Sequence, residues 1–134
     1  MKEIPKSLKR RPTKTTPYIH IDFSKGVIYF RGKSSPENTT KFYEPVLKAV
    51  RFISRLGKEE LTANFRMKYF NTSSSRFFFT LVRELKAFES NGMKVTINWY
   101  VEEGDEDMEE TGLDFQDMFD IPFAIRKVPA RNKG

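Results

Sequence analysis

Apolar and polar residues alternate along several segments of the chain, and this pattern predicts strands with one buried face. The alternating segments occupy 18–30, where Gly26 lies at the turn of a predicted β-hairpin, and then 61–68 and 95–101. A short last strand is expected at 123–125. The pattern therefore predicts about five strands.

Between these strands apolar residues recur at intervals of three and four, which predicts amphipathic helices. The first helix is expected to have Ser35 as its cap and Pro36 as its first residue, and to end at Gly57. A kink or a restarted turn is expected near the internal Pro45. A second helix should follow Ser75 and stop at Asn91-Gly92. A third helix is expected from about residue 107 to residue 119.

Strands that alternate with helices imply parallel pairing through right-handed crossovers, and strict alternation implies a sheet with one covered face. We therefore expect an α/β fold with a single mixed sheet and all helices packed on one face. The domain should span 18–128, preceded by a flexible basic arm at 1–17 and followed by a tail at 129–134. The open face should carry Tyr18, His20, Tyr29, Thr62, Asn64, Arg66, Lys68, Thr96, Asn98 and Tyr100.

Composition excludes several classes of protein. With 134 residues and 13 phenylalanines the chain can bury a core as one domain. The absence of cysteine excludes disulfides, thiolate metal sites and a cysteine nucleophile. His20 is the only histidine, so a zinc site lacks ligands and a serine–histidine–aspartate relay would have to run through it, whereas its strand position fits an ordinary surface residue. Without a signal peptide or an apolar span, we expect a cytoplasmic protein. Because catalytic machinery is missing, we expect that it is not an enzyme and needs no cofactor or metal.

Charge is distributed unevenly within the formal net charge of +6. Residues 1–101 carry 20 Lys and Arg against 8 Asp and Glu, whereas residues 102–134 carry 4 against 10. The basic part, with the tyrosines of the open face, leaves nucleic-acid binding as an alternative function, although no RNA-binding signature is present. The acidic run at 102–110 fits a solvated loop with acids at a helix start, recognition of a basic partner, or a hard metal ion in a hydrolase.

Four consecutive hydroxyl residues, Thr72 to Ser75, stand where a predicted strand ends and a helix begins. One hydroxyl suffices to cap a helix, so capping alone does not require all four. A phosphate at this position would meet free backbone N–H groups and the positive end of the helix dipole. Arg76, four residues after Thr72, could reach such a phosphate. The residues alone leave capping and phosphorylation open.

Several segments together resemble the SiaC family of bacterial regulatory phosphoproteins, whose fold is similar to STAS domains and anti-sigma-factor antagonists. Their order and spacing carry the resemblance over nearly the whole chain except the basic arm and the last residues. The segments are Thr16-Pro17-Tyr18-Ile19, Ser35-Pro36-Glu37-Asn38, Phe42-Tyr43-Glu44-Pro45, Tyr69 to Arg76, Ile97-Asn98-Trp99-Tyr100 and Asp105-Glu106-Asp107-Met108.

The resemblance implies that Thr72 is the phosphorylated residue. It also implies a partner kinase, a phosphatase of the PP2C type, and an unphosphorylated form that binds and activates a diguanylate cyclase in cyclic-di-GMP signalling. The phosphosite surroundings would then be Asn71, Ser73, Ser74, Ser75 and Arg76, and the candidate docking residues are Lys68, Tyr69, Phe70 and Phe79.

The chain departs from the family pattern in two places beside the expected phosphosite. Arg76 stands where lysine is expected, and Phe77-Phe78-Phe79 replaces a more aliphatic run. The arginine keeps the positive charge. At least one of the three phenylalanines should lie away from the core and could alter a docking surface.

Overall fold

The structure is a computed structural model that describes residues 6–130. Residues 1–5 of the predicted arm and 131–134 of the predicted tail lie outside the described residues. The strands are β1 (Ser7–Arg10), β2 (Tyr18–Asp22), β3 (Val27–Ser34), β4 (Glu60–Phe70), β5 (Lys94–Glu102) and β6 (Phe123–Val128). The helices are α1 (Thr39–Ile53), α2 (Thr72–Ser90) and α3 (Glu106–Met118).

The strands form one mixed sheet in the order β1-β2-β3-β4-β5-β6. The first three strands pair antiparallel, and β3, β4, β5 and β6 pair parallel, so each helix connects two neighbouring parallel strands. The predicted α/β class and mixed sheet are confirmed, with six strands in place of about five.

The additional strand, β1, lies inside the segment for which the sequence predicts a flexible arm. Leu8 of β1 stands opposite Ile21 of β2 and packs against the core. An edge strand of four residues needs only backbone hydrogen bonds and one inward side chain. So short and basic a segment shows no detectable alternation, and the prediction of an arm is wrong for residues 7–10.

One face of the sheet is buried, and the other is partly open. Alternate residues of β4 are buried from Leu61 to Met67, while the residues between them are partly exposed. Trp99 on β5 is only 1% exposed, and its indole Nε1 donates to the Met108 carbonyl of α3 at 3.1 Å. The core therefore lies between the sheet and the helices, as the alternation predicts.

The start of α1 differs from the prediction. Asn38, and not Ser35, caps the helix, because its side-chain oxygen accepts from the Lys41 backbone N–H at 3.0 Å. The helix runs through Pro45 without a restarted turn and ends at Ile53, followed by turns up to Gly57. Since Pro45 is exposed, water can reach the helix carbonyl that lacks its usual donor.

Candidate functional site

The start of α2 follows directly on the end of β4. Asn71 is the cap residue, with extended backbone angles, and its side-chain oxygen accepts from the Ser74 N–H at 2.9 Å. The Asn71 N–H in turn donates to the Ser34 carbonyl at the end of β3, at 2.9 Å. The cap is thus the side-chain amide of Asn71. The sequence pattern suggests one of the four hydroxyls instead. None of these hydroxyls is needed for capping.

The four hydroxyl residues have different environments. Thr72 and Ser73 are exposed, Ser75 is partly exposed, and Ser74 is fully buried. The Ser74 hydroxyl lies 2.7 Å from the Ser34 hydroxyl and 3.1 Å from the Ser34 carbonyl oxygen, to which it donates. Ser74 is therefore structural, whereas Thr72 and Ser73 are accessible to a modifying enzyme.

A chain of buried hydroxyls fixes this helix start. The Ser34 hydroxyl lies 2.5 Å from the Tyr43 hydroxyl of α1, and the Tyr43 ring stacks on Phe77 of α2 with centroids 3.8 Å apart. Burial raises the pKa of Tyr43 to about 12, although the hydrogen bond with Ser34 acts in the opposite direction. The chain joins β3, α1 and α2 at one point.

Sequence reasoning missed the roles of Ser34 and Tyr43. A signal was present for Ser34, because alternation from Ile28 and Phe30 places it on the core face of β3. A polar residue in an apolar register needs a hydrogen-bond partner. No pattern along the chain shows that this partner lies 40 residues away, at Ser74.

The electrostatic surroundings of Thr72 favour an anion. The first turn of α2 contains no acidic residue, whereas the first turn of α3 contains Glu106, Asp107 and Glu109. The N–H groups of Thr72 and Ser73 have no acceptor within α2, since the first N–H groups of a helix cannot bond inside it. Arg76 is exposed and makes no ion pair within residues 6–130. Within the described part of the chain, no carboxylate therefore pairs with Arg76 at the positive helix start, and the acids Glu37 and Glu44 lie across a groove from it.

A groove of about 640 Å³ separates the starts of α1 and α2. Ser73, Arg76 and Thr80 of α2 line one wall, and Asn38 and Glu44 lie on the α1 side. Thr72 is outside this lining. The exposed phosphosite candidate is therefore on the outer surface of α2, next to the groove and not in it.

The four candidate docking residues are not equivalent. Tyr69 is 51% exposed and Phe79 is 37% exposed. Lys68 is exposed, and its ammonium group lies 3.7 Å from a carboxylate oxygen of Glu102. Phe70 instead packs inward, with its ring centroid 5.1 Å from that of Phe78. Of the three consecutive phenylalanines, only Phe79 lies away from the core.

The acidic run is mainly a helix start. Asp105 caps α3 by accepting from the Met108 N–H at 3.1 Å, and Glu109 pairs with Lys127 at 3.4 Å. Among the described residues, no group of three or more His, Asp or Glu side chains is arranged to hold a metal ion. The acids therefore stabilise the helix dipole and make ion pairs.

The open face of the sheet does not favour nucleic-acid binding. The Arg31 guanidinium lies over the Tyr18 ring, 5.1 Å from its centroid, and occupies a ring face on which a base would stack. Asn98 donates to Asn64 at 2.9 Å and accepts from Arg126 at 2.9 Å. These polar groups satisfy one another across the strands.

Fold and site together define a small α/β domain with an accessible hydroxyl at a positive helix start. Of its described helices, none has both the length and the apolar composition needed to cross a bilayer.

The sequence profile of the SiaC family regulatory phosphoproteins matches residues 10–128, and the chain belongs to this family. The resemblance read from the sequence is therefore confirmed. Because the family consists of regulatory phosphoproteins, the chain is a regulator rather than an enzyme.

Relatives and solved structures agree with this assignment. An uncharacterized protein of Pseudomonas aeruginosa (strain UCBPP-PA14) is 28% identical over 114 residues, covering 85% of this chain and 90% of the relative. Apo-SiaC from Pseudomonas aeruginosa superposes with a TM-score of 0.83 at 27% identity, covering 90% of this chain and 98% of that chain. SiaC in the crystal structure of the diguanylate cyclase SiaD with its activator SiaC gives a TM-score of 0.87 at 27% identity, covering 90% and 99%.

Proposed function

We propose that this chain is a phosphorylation switch whose modified residue is Thr72. The observation that carries the proposal is the exposed Thr72 hydroxyl on the first residue of α2, a helix whose first turn contains no acidic residue. A phosphate there brings about −1.5 to −2 charges to a position with free N–H groups, one turn before Arg76. The modified and unmodified states then differ in charge at one exposed point, which suits control of partner binding.

The partners that we propose are a protein kinase, a phosphatase of the PP2C type and a diguanylate cyclase. SiaC of Pseudomonas aeruginosa is described as the activator of the diguanylate cyclase SiaD. The similarity of fold supports the same role here, in which the unphosphorylated chain binds and activates its cyclase and so controls cyclic-di-GMP signalling and biofilm formation or aggregation. We place this function in the cytoplasm, because a kinase takes its phosphate from a nucleoside triphosphate.

The residues around Thr72 have separate roles in this proposal. Asn71 holds the helix start by capping, Ser74 anchors it to β3, and Arg76 is the charge partner of the phosphate. Ser73 and Ser75 are the neighbouring hydroxyls that a kinase must distinguish from Thr72. Of the candidate docking residues, Lys68, Tyr69 and Phe79 are exposed to a partner, whereas Phe70 supports the core.

Binding to the cyclase tests the switch. We expect Thr72→Ala to bind the cyclase as the unmodified chain does, and Thr72→Glu to bind more weakly because it adds negative charge at the helix start. Titration calorimetry with the purified cyclase measures both affinities, and Ser73→Glu is the matched control for an adjacent exposed hydroxyl. Equal affinity of Thr72→Ala and Thr72→Glu would contradict the switch.

The site of modification is tested separately. Incubation with the kinase, followed by peptide mass spectrometry, should place the phosphate on Thr72 and none on the buried Ser74. In Thr72→Ala the phosphate should be lost. A phosphate that persists on Ser73 or Ser75 in this variant would refute the assignment to Thr72.

A further inference from the structure

An exposed stripe of side chains continues from Thr72 along α2. Thr72, Arg76, Phe79 and Arg83 follow one another at intervals of four, three and four residues, and all four are exposed. At 100° per residue these positions fall within about 60° of one another on the helix surface. We call these four residues the α2 stripe. It lies opposite the buried side of α2, which contains Phe78.

The apolar centre of the stripe is Phe79. Its ring lies 5.3 Å from that of Phe119, a partly buried residue that follows α3 and packs against the core, so the exposed Phe79 ring is fixed in place. Met118, next to Phe119 in the chain, is 55% exposed. Single exposed apolar residues are common, but a ring held by another ring beside a flexible methionine is a preformed anchor point for a partner.

Two arginines lie on either side of this centre. The Arg83 guanidinium is 5.8 Å from the Phe79 ring centroid, and Arg76 is one turn before Phe79. Neither arginine makes an ion pair within residues 6–130, whereas Lys86, on the same helix, pairs with Glu89 at 2.9 Å. The stripe is therefore an aromatic anchor between two cations that make no ion pair within the described part of the chain.

The charges on the α3 side have the opposite sign. Asp117 and Asp120 flank Met118 and Phe119 in sequence, and both are exposed. A partner with carboxylates facing α3 would be repelled. Charge complementarity therefore restricts a partner's carboxylates to the α2 side of the patch.

We propose that the α2 stripe is the docking surface for the effector, and that the docked segment is an apolar side chain flanked by carboxylates that pair with Arg76 and Arg83. This rests on the proposed function. It also supplies a mechanism for the switch, because a phosphate on Thr72 lies about 6 Å along the helix axis from Arg76. The phosphate takes Arg76 as its own partner and repels the carboxylate that would bind there.

The test is titration calorimetry of the cyclase with stripe variants of the full-length, unphosphorylated chain. We expect Phe79→Ser and Arg83→Glu each to weaken binding about tenfold or more, as is typical of central anchor residues. Arg83→Lys should keep most of the affinity, because the charge remains. The control is Arg55→Glu, the same charge reversal on an exposed residue in the turn before β4, whereas Thr72 follows the other end of that strand.

Each variant is first checked by its thermal midpoint, because Phe79 is only 37% exposed and its loss could loosen the contact with Phe119. Arg83→Glu keeps Phe79 in place and so tests the surface without removing the aromatic pair. Wild-type affinity in a folded Arg83→Glu protein would overturn the docking surface and leave the switch at Thr72 standing. Failure of the wild-type chain to bind the cyclase would overturn the proposed function, and the docking surface with it.

Salt dependence tests the carboxylate part of the inference independently. Surface charge pairs weaken as the Debye length falls with ionic strength. The affinity of the wild-type chain should therefore decrease with salt more steeply than that of Arg76→Gln/Arg83→Gln. Equal salt dependence of the two proteins would show that the partner brings no carboxylates to the α2 stripe.

Discussion

Ser73 and Ser74 are adjacent residues of one type with opposite environments. Ser73 is exposed, while the Ser74 hydroxyl is buried and bonded to both the hydroxyl and the carbonyl of Ser34. Ser74→Ala removes these two buried hydrogen bonds, which together contribute about 1–3 kcal/mol at about 0.5–1.5 kcal/mol each, while Ser34 keeps its bonds to Tyr43 and to the Asn71 N–H. We therefore expect Ser74→Ala to lower the free energy of unfolding by this amount and Ser73→Ala to change it little, as measured by urea unfolding.

Comparing Ser74→Ala with Ser73→Ala separates hydroxyls that hold the fold from hydroxyls that are exposed to modification. Both variants lose one hydroxyl near the same helix start, so a common effect on helix propensity cancels. If Ser73→Ala destabilised the protein as much as Ser74→Ala, the buried chain through Ser34 would not be what holds the start of α2.

At the scale of single elements, α3 contains a glycine where helix propensity favours alanine. Gly112 is buried against the sheet, and a Cβ atom added there would lie 2.5 Å from Cδ1 of Trp99. Alanine gains about 1 kcal/mol over glycine in a helix interior, but overpacking a core costs about 1–3 kcal/mol. Because Trp99 is held by its bond to the Met108 carbonyl, we expect the overpacking cost to prevail.

Gly112→Ala should therefore lower the thermal midpoint and shift the fluorescence of Trp99, the only tryptophan in the chain. Glu110→Ala is the control, since it also introduces an alanine into α3 but at an exposed position. A higher midpoint for Gly112→Ala would mean that the indole moves aside at little cost.

The elements that the sequence predicts well are those whose signal is local. Alternation from Leu61 to Met67 arises from one strand against one core, so it is visible along the chain. The short edge strand β1 has too few residues for such a pattern. The sequence does not distinguish a cap at Asn71 from one among the hydroxyls, because Asn71 and Thr72 have similar cap propensities and only backbone geometry decides between them.

At the scale of the whole molecule, only part of the candidate site is formed by residues that are close together in the sequence. Thr72 and Arg76 belong to one stretch of sequence, and their proposed roles follow from helix spacing. The surroundings of the site combine the end of β3, the start of α1 and the stripe of α2 with Phe119. These contacts depend on tertiary packing, which no periodicity along the chain encodes.

Unfolding at alkaline pH tests how far the buried hydroxyls of Tyr43, Ser34 and Ser74 support the whole fold. Burial raises the pKa of Tyr43 from 10.0 to about 12, so the folded protein keeps a proton that the unfolded chain loses above pH 10. The contribution of Tyr43 is thus fully present below pH 10 and is lost as the pH rises toward 12. With about 1.4 kcal/mol for each pKa unit, the loss amounts to about 3 kcal/mol.

Tyr43→Phe is the matched variant, because it retains a ring that can stack on Phe77 but has no group that ionises. All other side chains are the same in both proteins, so their effects cancel in the difference between the two free energies of unfolding. We expect wild type to be the more stable protein near neutral pH, through its bond to Ser34, and to lose this advantage above about pH 10. Urea unfolding at a series of alkaline pH values measures the difference. If the difference stayed constant through this range, the Tyr43 phenol would ionise as readily in the folded protein as in the unfolded chain. Burial at the junction of β3, α1 and α2 would then not hold its proton.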